Sequence, residues 1–335
     1  MKPVRLGIIG CGIAARELHW PALKEMKDRF EIRMVCNHTK AKAQTFAGMV
    51  GGVPFVTDYH ELLASEDIDA VSIILPFELN RQVTEDALKA GKHVMIEKPI
   101  AGSMFDAESM LRLEVKYRNC IMMVAENYRY RPLYHRVKEM LNGYSVGRLY
   151  GVIWNFFTDV ASEANEQYME TKWRIDHSYP GGFLTDGGVH IIAVLHDLFG
   201  EITSASALTE SVNERAGKVD TMNSQFTTSN GPICSVNQFY SAKGLRVNSI
   251  HLFGDMGTII VDNYTSTITL KRSDEDDIVE TTDEDRGYVG EYDDFYLAIH
   301  TGRPVTSTFE KAYRDFKVIV GALESAETGE VVLFK

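Results

Sequence analysis

Short apolar runs without polar alternation recur through the first third of the chain: VRLGII (Val4 to Ile9), EIRMVCN (Glu31 to Asn37), AVSIIL (Ala70 to Leu75), HVMIE from His93, and IMMVA (Ile121 to Ala125). A strand covered on both faces needs no polar side, so these runs predict buried strands of a parallel sheet. Between them lie stretches with helical spacing: to about Asp28, from about Lys40, near Tyr59 to Ser65, from Leu79 to Ala90, and from Met104 to Arg118. Gly91 is a typical left-handed stop for the fourth of these. A short Phe55-Val56 strand completes the series. Strands and helices in regular alternation predict a doubly wound α/β sheet.

Beyond Ala125 the pattern changes. A helix is expected from Pro132 to a stop at Gly143, followed by strand-like runs: YGVIWNFF, segments near 202–210 and 219–240, VNSIHLFG and GTIIVD. Turn pairs such as Lys243-Gly244 and Gly254-Asp255 separate them, which predicts an α+β domain with a mostly antiparallel sheet. Helical spacing returns from Asp186, over Val289 to His300, and over Phe309 to Thr328, while the acidic stretch Ser273 to Asp285 reads as a solvated loop. The boundary falls near Glu126, giving domains of residues 1–126 and 127–335 with no Gly/Ser linker between them.

A chain of 335 residues favours two domains over one. A hydrophobic share of 44% and a charged share of 24% are those of an ordinary globular protein. The net charge of -12 argues against nucleic acid as a partner, because phosphate backbones draw on basic surfaces. No apolar run approaches the roughly 20 residues of a membrane span. The first strand begins by Val4, which leaves no room for a signal peptide, so a cytoplasmic protein is expected. Cys11, Cys36, Cys120 and Cys234 are scattered, predicting neither a zinc site nor a disulfide framework.

Chemistry enters at the ends of the predicted strands. Gly10-Cys11-Gly12-Ile13-Ala14-Ala15 stands between strand and helix: the first glycine permits a tight turn, the second lets backbone approach a pyrophosphate, and Ala15 is small enough for close packing. The helix start adds free N–H groups for the phosphates. At the end of the second strand Asn37 replaces the carboxylate that commonly binds a ribose, and His38, Thr39 and Lys40 follow, which favours NADP over NAD. Lys98, between Glu97 and Pro99, is either a surface lysine or one that a buried strand aims at a cleft. Asp186 and His190, four residues apart, share one helix face. Such a pair is a packing feature or an acid/base pair. Gly181-Gly182 and Trp173-Arg174 beside it favour the second, and no third ligand with metal spacing accompanies it.

GIIGCGIAA, DALKAGKHVMIEKP, WRIDHSYPGGFLTDGGVH, DDFYLAIHTGRPV and SAETGEVV, in this order over nearly the whole chain, resemble the Gfo/Idh/MocA family, the glucose-fructose oxidoreductase and inositol dehydrogenase group. The resemblance implies an N-terminal NAD(P)-binding Rossmann domain and a C-terminal α/β domain whose open sheet often forms an oligomer interface, here a homodimer or homotetramer. It implies Lys98, Asp186 and His190 as a catalytic trio, with Pro99 commonly cis. Cofactor contacts would come from Gly10, Gly12, Ile13, Ala14, Asn37, His38 and Lys40, and from Leu75, Pro76, Asn80, Glu97, Lys98 and Asn127. Two departures stand out: the turn Leu75-Pro76-Phe77-Glu78-Leu79 leads to Asn80 where the family usually has histidine, and Asn37 lacks the usual charge. Asn127, Arg129, Trp154, Asn155, Trp173, Arg174, Asp186 and His190, with Lys98, are the candidate substrate contacts. The expected activity is an NAD(P)-dependent oxidoreductase acting on a sugar, cyclitol or related polyol. A redox-neutral NAD-using glycosidase and a non-enzymatic sugar or dinucleotide sensor remain the alternatives.

Overall fold

The computed structural model describes residues 1–162, 180–229, 231–282 and 286–335, in two compact units. The first is built on β1 (Val4–Ile9), β2 (Phe30–Cys36), β3 (Phe55–Val56), β4 (Ala70–Ile73), β5 (His93–Glu97) and β6 (Met122–Ala125). These lie in the order β3-β2-β1-β4-β5-β6, and every pairing is parallel. Every residue of β4 and β6 is buried, which is why their sequences carry no polar alternation. The helices are α1 (Trp20–Glu25), entered through a π turn over Ala15–His19, then α2 (Lys40–Met49), α3 (Tyr59–Leu63), α4 (Asn80–Lys89) and α5 (Met104–Lys116). α5 starts where it does because the Ser103 hydroxyl accepts the Asp106 N–H at 3.1 Å.

From β1 the chain winds outward to β2 and β3, then returns to β4 on the other side of β1. This reversal opens a crevice at the carboxyl ends of β1 and β4, where open α/β sheets bind their ligands. A late helix, α8 (Tyr288–Thr301), also belongs to this unit. Its Tyr292, Phe295, Tyr296 and Ala298 share one core with Val4, Leu6 and Phe30, and Tyr292 meets the Phe30 ring edge-on at 5.5 Å. The compact units therefore differ from a linear division at Glu126: the first keeps the chain through Tyr130 and takes back α8.

The second unit holds α6 (Pro132–Asn142), α7 (Phe183–Phe199), most of α9 (Phe309–Thr328) and a nine-stranded sheet. Its strands are β7 (Leu149–Phe157), β8 (Ile202–Glu210), β9 (Thr221–Thr228), β10 (Ile233–Phe239), β11 (Val247–Gly254), β12 (Gly257–Asp262), β13 (Thr267–Lys271), β14 (Ile278–Thr281) and β15 (Val332–Leu333). They run β14-β13-β12-β11-β7-β10-β9-β8-β15, with β7 and β10 parallel and the other pairs antiparallel. Alternate residues of β9, β10 and β11 are buried, so one face is covered and the other open. The expected solvated loop at 273–285 is corrected here: β14 lies inside it and pairs with β13. Ile278 and Val279 supply strand propensity amid the acids, and Glu280 takes the Arg136 guanidinium on both oxygens, at 2.7 and 2.9 Å. Among the described residues no helix is long and apolar enough to cross a membrane.

Candidate active site

In the first unit the site begins where β1 ends. Gly10 has φ +107°, and a Cβ there would overlap the Ile74 carbonyl oxygen, so only glycine lets this turn pass the end of β4. Around a Cβ on Gly12 no atom of the described residues lies within 4 Å. The turn is open on that side, the approach a pyrophosphate needs. Residues 13 and 14 begin the helix, and both are half-buried at the rim. Leu75 and Pro76, half-buried beyond β4, stand across the crevice; Leu75 Cδ2 comes within 3.2 Å of a Cβ placed on Gly10.

Asn37 holds this turn from the side. Its Oδ1 accepts the Cys11 N–H at 3.1 Å, and its Nδ2 donates to the Thr39 carbonyl at 3.3 Å, leaving the side chain buried. His38 and Lys40 beside it are exposed. Gly10, Gly12, Ile13, Ala14, Asn37, His38, Lys40, Leu75 and Pro76 thus sit together at the carboxyl ends of β1, β2 and β4. Burial pushes the Cys11 thiol up to about 12 and the Cys36 thiol to about 11, so neither offers a thiolate near neutral pH.

β5 delivers Glu97 and the half-buried Lys98 to the same edge, and the Lys98–Pro99 peptide is cis. Asn80, the first residue of α4, is fully buried, and its Nδ2 donates to the carbonyls of Glu97 at 2.8 Å and Pro99 at 3.0 Å. Buried and with its nitrogen spent on the Lys98 segment, Asn80 is set apart from the cofactor contacts expected of it. Glu97 Oε2 accepts the Lys98 N–H at 3.1 Å, and Oε1 lies 2.6 Å from His19 Nε2. Asn127 is buried and donates to the Arg286 carbonyl at 2.7 Å; Arg129 is buried as well. His19 is the participant that sequence reading missed: its ring lies in the π turn, and its other nitrogen meets Tyr292 of α8, 273 positions away.

In the second unit Gly181 and Gly182, both at positive φ, turn the chain into α7, and Thr185 Oγ1 donates back to the Pro180 carbonyl at 2.6 Å. Gly187 and Gly188 then bring the helix hard against its neighbours: a Cβ on Gly187 would overlap the Tyr240 hydroxyl, and one on Gly188 would lie 2.7 Å from Ile319. Over residues 183–195 only Asp186, Gly187 and His190 are not buried. The helix therefore shows one polar strip, a carboxylate and an imidazole one turn apart.

The structure sets Trp154 and Asn155 apart from that strip. Trp154 is fully buried beside Tyr134 and donates its indole N–H to Asn248 Oδ1 at 2.9 Å. Asn155, the next residue of the strand, points to the open face, away from α7, where Asn237 donates to it at 2.7 Å and Asn223 to Asn237 at 2.6 Å. Trp173 and Arg174 lie outside the described residues. Among the described residues no three His, Cys, Asp or Glu gather as a metal ion requires.

Residues 4–126 match the model of an oxidoreductase family with an NAD-binding Rossmann fold, and residues 138–334 match the C-terminal α/β domain of the same family. The chain belongs to the Gfo/Idh/MocA oxidoreductase family. The oxidoreductase is similar along 99% of its length to the crystal structure of an oxidoreductase from Thermotoga maritima, with 35% identity, 98% of that chain covered and a TM-score of 0.91. An uncharacterized protein of Saccharomyces cerevisiae is 34% identical over 78% of this chain and 75% of its own. The dTDP-3,4-didehydro-2,6-dideoxy-alpha-D-glucose 3-reductase of Saccharopolyspora spinosa is 29% identical over 78% of this chain and 75% of its own. The open Gly12 side of the turn fits the dinucleotide that the family's first domain binds.

Proposed function

We propose that this oxidoreductase interconverts a secondary alcohol and a ketone on a sugar, cyclitol or related polyol, with NADP as the partner. The observation that carries the reading is the strip on α7: a carboxylate and an imidazole are the side chains its first turns leave unburied. The bound nicotinamide would take up or give back the hydride. The chain's own residues handle the oxygen and its proton. An imidazole suits proton exchange near neutral pH, so His190 takes the hydroxyl proton on oxidation and returns it on reduction. Lys98 donates a hydrogen bond to the reacting oxygen and stabilises negative charge there, worth roughly 3 kcal/mol where water is excluded. Asp186 orients the substrate beside His190. Trp154 and Asn155 are left out of the substrate set, since one is spent in the core and the other lies on the far face of the sheet. The likeness to a dTDP-sugar reductase supports a sugar as substrate class.

Support for NADP comes from Asn37. With its oxygen held by Cys11 and its nitrogen by Thr39, it offers no negative charge to repel a 2′-phosphate, and His38 and Lys40 stand exposed beside it. The open face of the nine-stranded sheet, with Ile153, Phe253 and the stacked pair Phe157 and Phe239, supports assembly into a homodimer or homotetramer.

The test is a panel of polyols and keto-sugars offered with NADP(H) and NAD(H), followed by nicotinamide absorbance, with Lys98→Ala and His190→Ala as controls. Turnover on one sugar class that drops by about three orders of magnitude in either variant, with the dinucleotide still bound, is the expected result. Variants as active as the parent would overturn these assignments, and glycoside cleavage without absorbance change would replace the reaction.

A further inference from the structure

A lysine side chain has four soft torsions, so a reaction that depends on its ammonium group gains from a main chain that cannot shift beneath it. The backbone on both sides of Lys98 is held by buried or half-buried side chains. The carbonyl before it and the carbonyl after it, on Glu97 and Pro99, both accept from Asn80 Nδ2. Its own N–H goes to Glu97 Oε2. The other oxygen of that carboxylate is fixed by His19 at 2.6 Å, His19 Nδ1 lies 2.9 Å from the Tyr292 hydroxyl, and that hydroxyl lies 3.2 Å from Ser72 Oγ.

The chain has a consistent direction. With the imidazole hydrogen on Nε2, Ser72 donates to Tyr292, Tyr292 to His19 Nδ1, and His19 to Glu97, which also receives Lys98, so each donor meets one acceptor. Burial pushes the Tyr292 phenol well above its ordinary range, which keeps its hydrogen in place. Asn80, His19, Ser72 and Tyr292 are all no more than 1% exposed. Burying this many polar side chains is costly unless they are paired, and apolar residues would fill the same space at lower cost. What the polar set adds is a fixed position at one point, the root of Lys98.

We propose that Asn80, Glu97 and His19 are positioning residues for Lys98: from α4, β5 and the π turn they clamp the main chain on both sides of it and so set where its side chain starts. This rests on the proposed role of Lys98. It also gives a use to Asn80, which stands where the family usually has histidine: its single nitrogen, with two hydrogens, spans two carbonyls, which one imidazole N–H does not do in the same way.

The experiment uses the full chain with NADP and the best substrate from the panel. Asn80→Asp turns the shared donor into an oxygen facing two carbonyls, His19→Phe removes the support of Glu97, and His19→Gln keeps a donor near the place of Nε2. Turnover (kcat), NADP affinity by fluorescence quenching, and hydrogen exchange of the peptide containing Lys98 are measured for each. We expect Asn80→Asp and His19→Phe to speed exchange at Lys98 and lower kcat by about tenfold to a hundredfold, with NADP affinity within about threefold of the parent and His19→Gln regaining most of the loss. Loss of kcat and NADP affinity in step would show a merely structural role and overturn the proposal, as would faster exchange with kcat unchanged while Lys98→Ala is inactive. If Lys98→Ala itself turns over normally, the reading of Lys98 fails and this proposal with it, a result separate from the other two. Should Asn80→Asp not fold, Tyr292→Phe, which removes one hydroxyl from the same chain, is held to the same outcomes.

Discussion

His196 of α7 and Asp315 of α9 meet at 2.7 Å between Nδ1 and Oδ1, with only 11% and 3% of their side chains exposed, and tie the helix that carries the α7 strip to its neighbour. Removing one partner of a buried pair strands the other. His196→Ala or Asp315→Ala should each lower unfolding stability by about 3 kcal/mol, and the double variant should lose at least ~1 kcal/mol less than the sum. Glu201→Ala, which breaks the neighbouring 2.5 Å contact to Arg314 between half-exposed side chains, should change stability by less than ~1 kcal/mol. Urea unfolding of the four variants decides between these values.

The two glycines of the β1 turn should separate folding from binding. Gly10→Ala demands a left-handed alanine whose Cβ overlaps the Ile74 carbonyl, so the variant should be destabilised by several kcal/mol (about 3 or more) or fail to accumulate. Gly12→Ala meets no atom of the described residues and should melt near the parent, yet bind dinucleotide at least about tenfold more weakly, because the new methyl occupies the approach to the phosphates. Thermal melting paired with a nucleotide titration reads both. A Gly12→Ala protein with full affinity would remove the dinucleotide from that side of the turn.

Cofactor choice should be movable at Asn37. Asp at this position keeps an oxygen for the Cys11 N–H and adds a charge, which repels a 2′-phosphate and can accept from ribose hydroxyls. The ratio of kcat/KM for NADP to that for NAD should fall by about tenfold or more in Asn37→Asp, and Lys40→Glu should move it the same way. An unchanged ratio in both would place the preference elsewhere.

Acid sensitivity should trace in part to Asp69. The Arg5 side chain, at 2.6 and 3.0 Å, and its backbone N–H at 3.0 Å hold this carboxyl below the usual aspartate range. A carboxyl lowered in the folded state contributes stability that is complete above its unfolded pKa and disappears as pH falls through the folded one. Asp69→Asn should therefore be less stable than the parent at pH 7, and the gap should close as pH drops below the ordinary aspartate value. A gap constant across a urea series from neutral to acid would rule out this linkage.

Much of the first unit was legible because its strands are buried on both faces, and continuous apolar runs bounded by glycine or proline leave few other readings. The glycine turn, Lys98 at a strand end, and the spacing of Asp186 and His190 were legible for the same reason: each is a local pattern. What distance decides was not. Nothing near His19 announces Tyr292, and nothing in an acidic stretch announces β14, whose partner strand lies before it. YGVIWNFF misled in another way. Its strand is apolar on both sides because the open face of the sheet also carries Ile153 and Phe157, so alternation could not show that Trp154 and Asn155 point apart.

The return of α8 to the first unit sets an order of events during synthesis. When a ribosome has released residues 1–126, the six parallel strands are complete, but the pocket that Tyr292, Phe295 and Tyr296 will fill beside Phe30 is still bare. Apolar surface left waiting in this way invites misassembly and chaperone attention. The nascent dinucleotide domain should thus stay unfinished until almost nine-tenths of the chain has emerged, and a fragment cut at the domain boundary should be sticky rather than a working half.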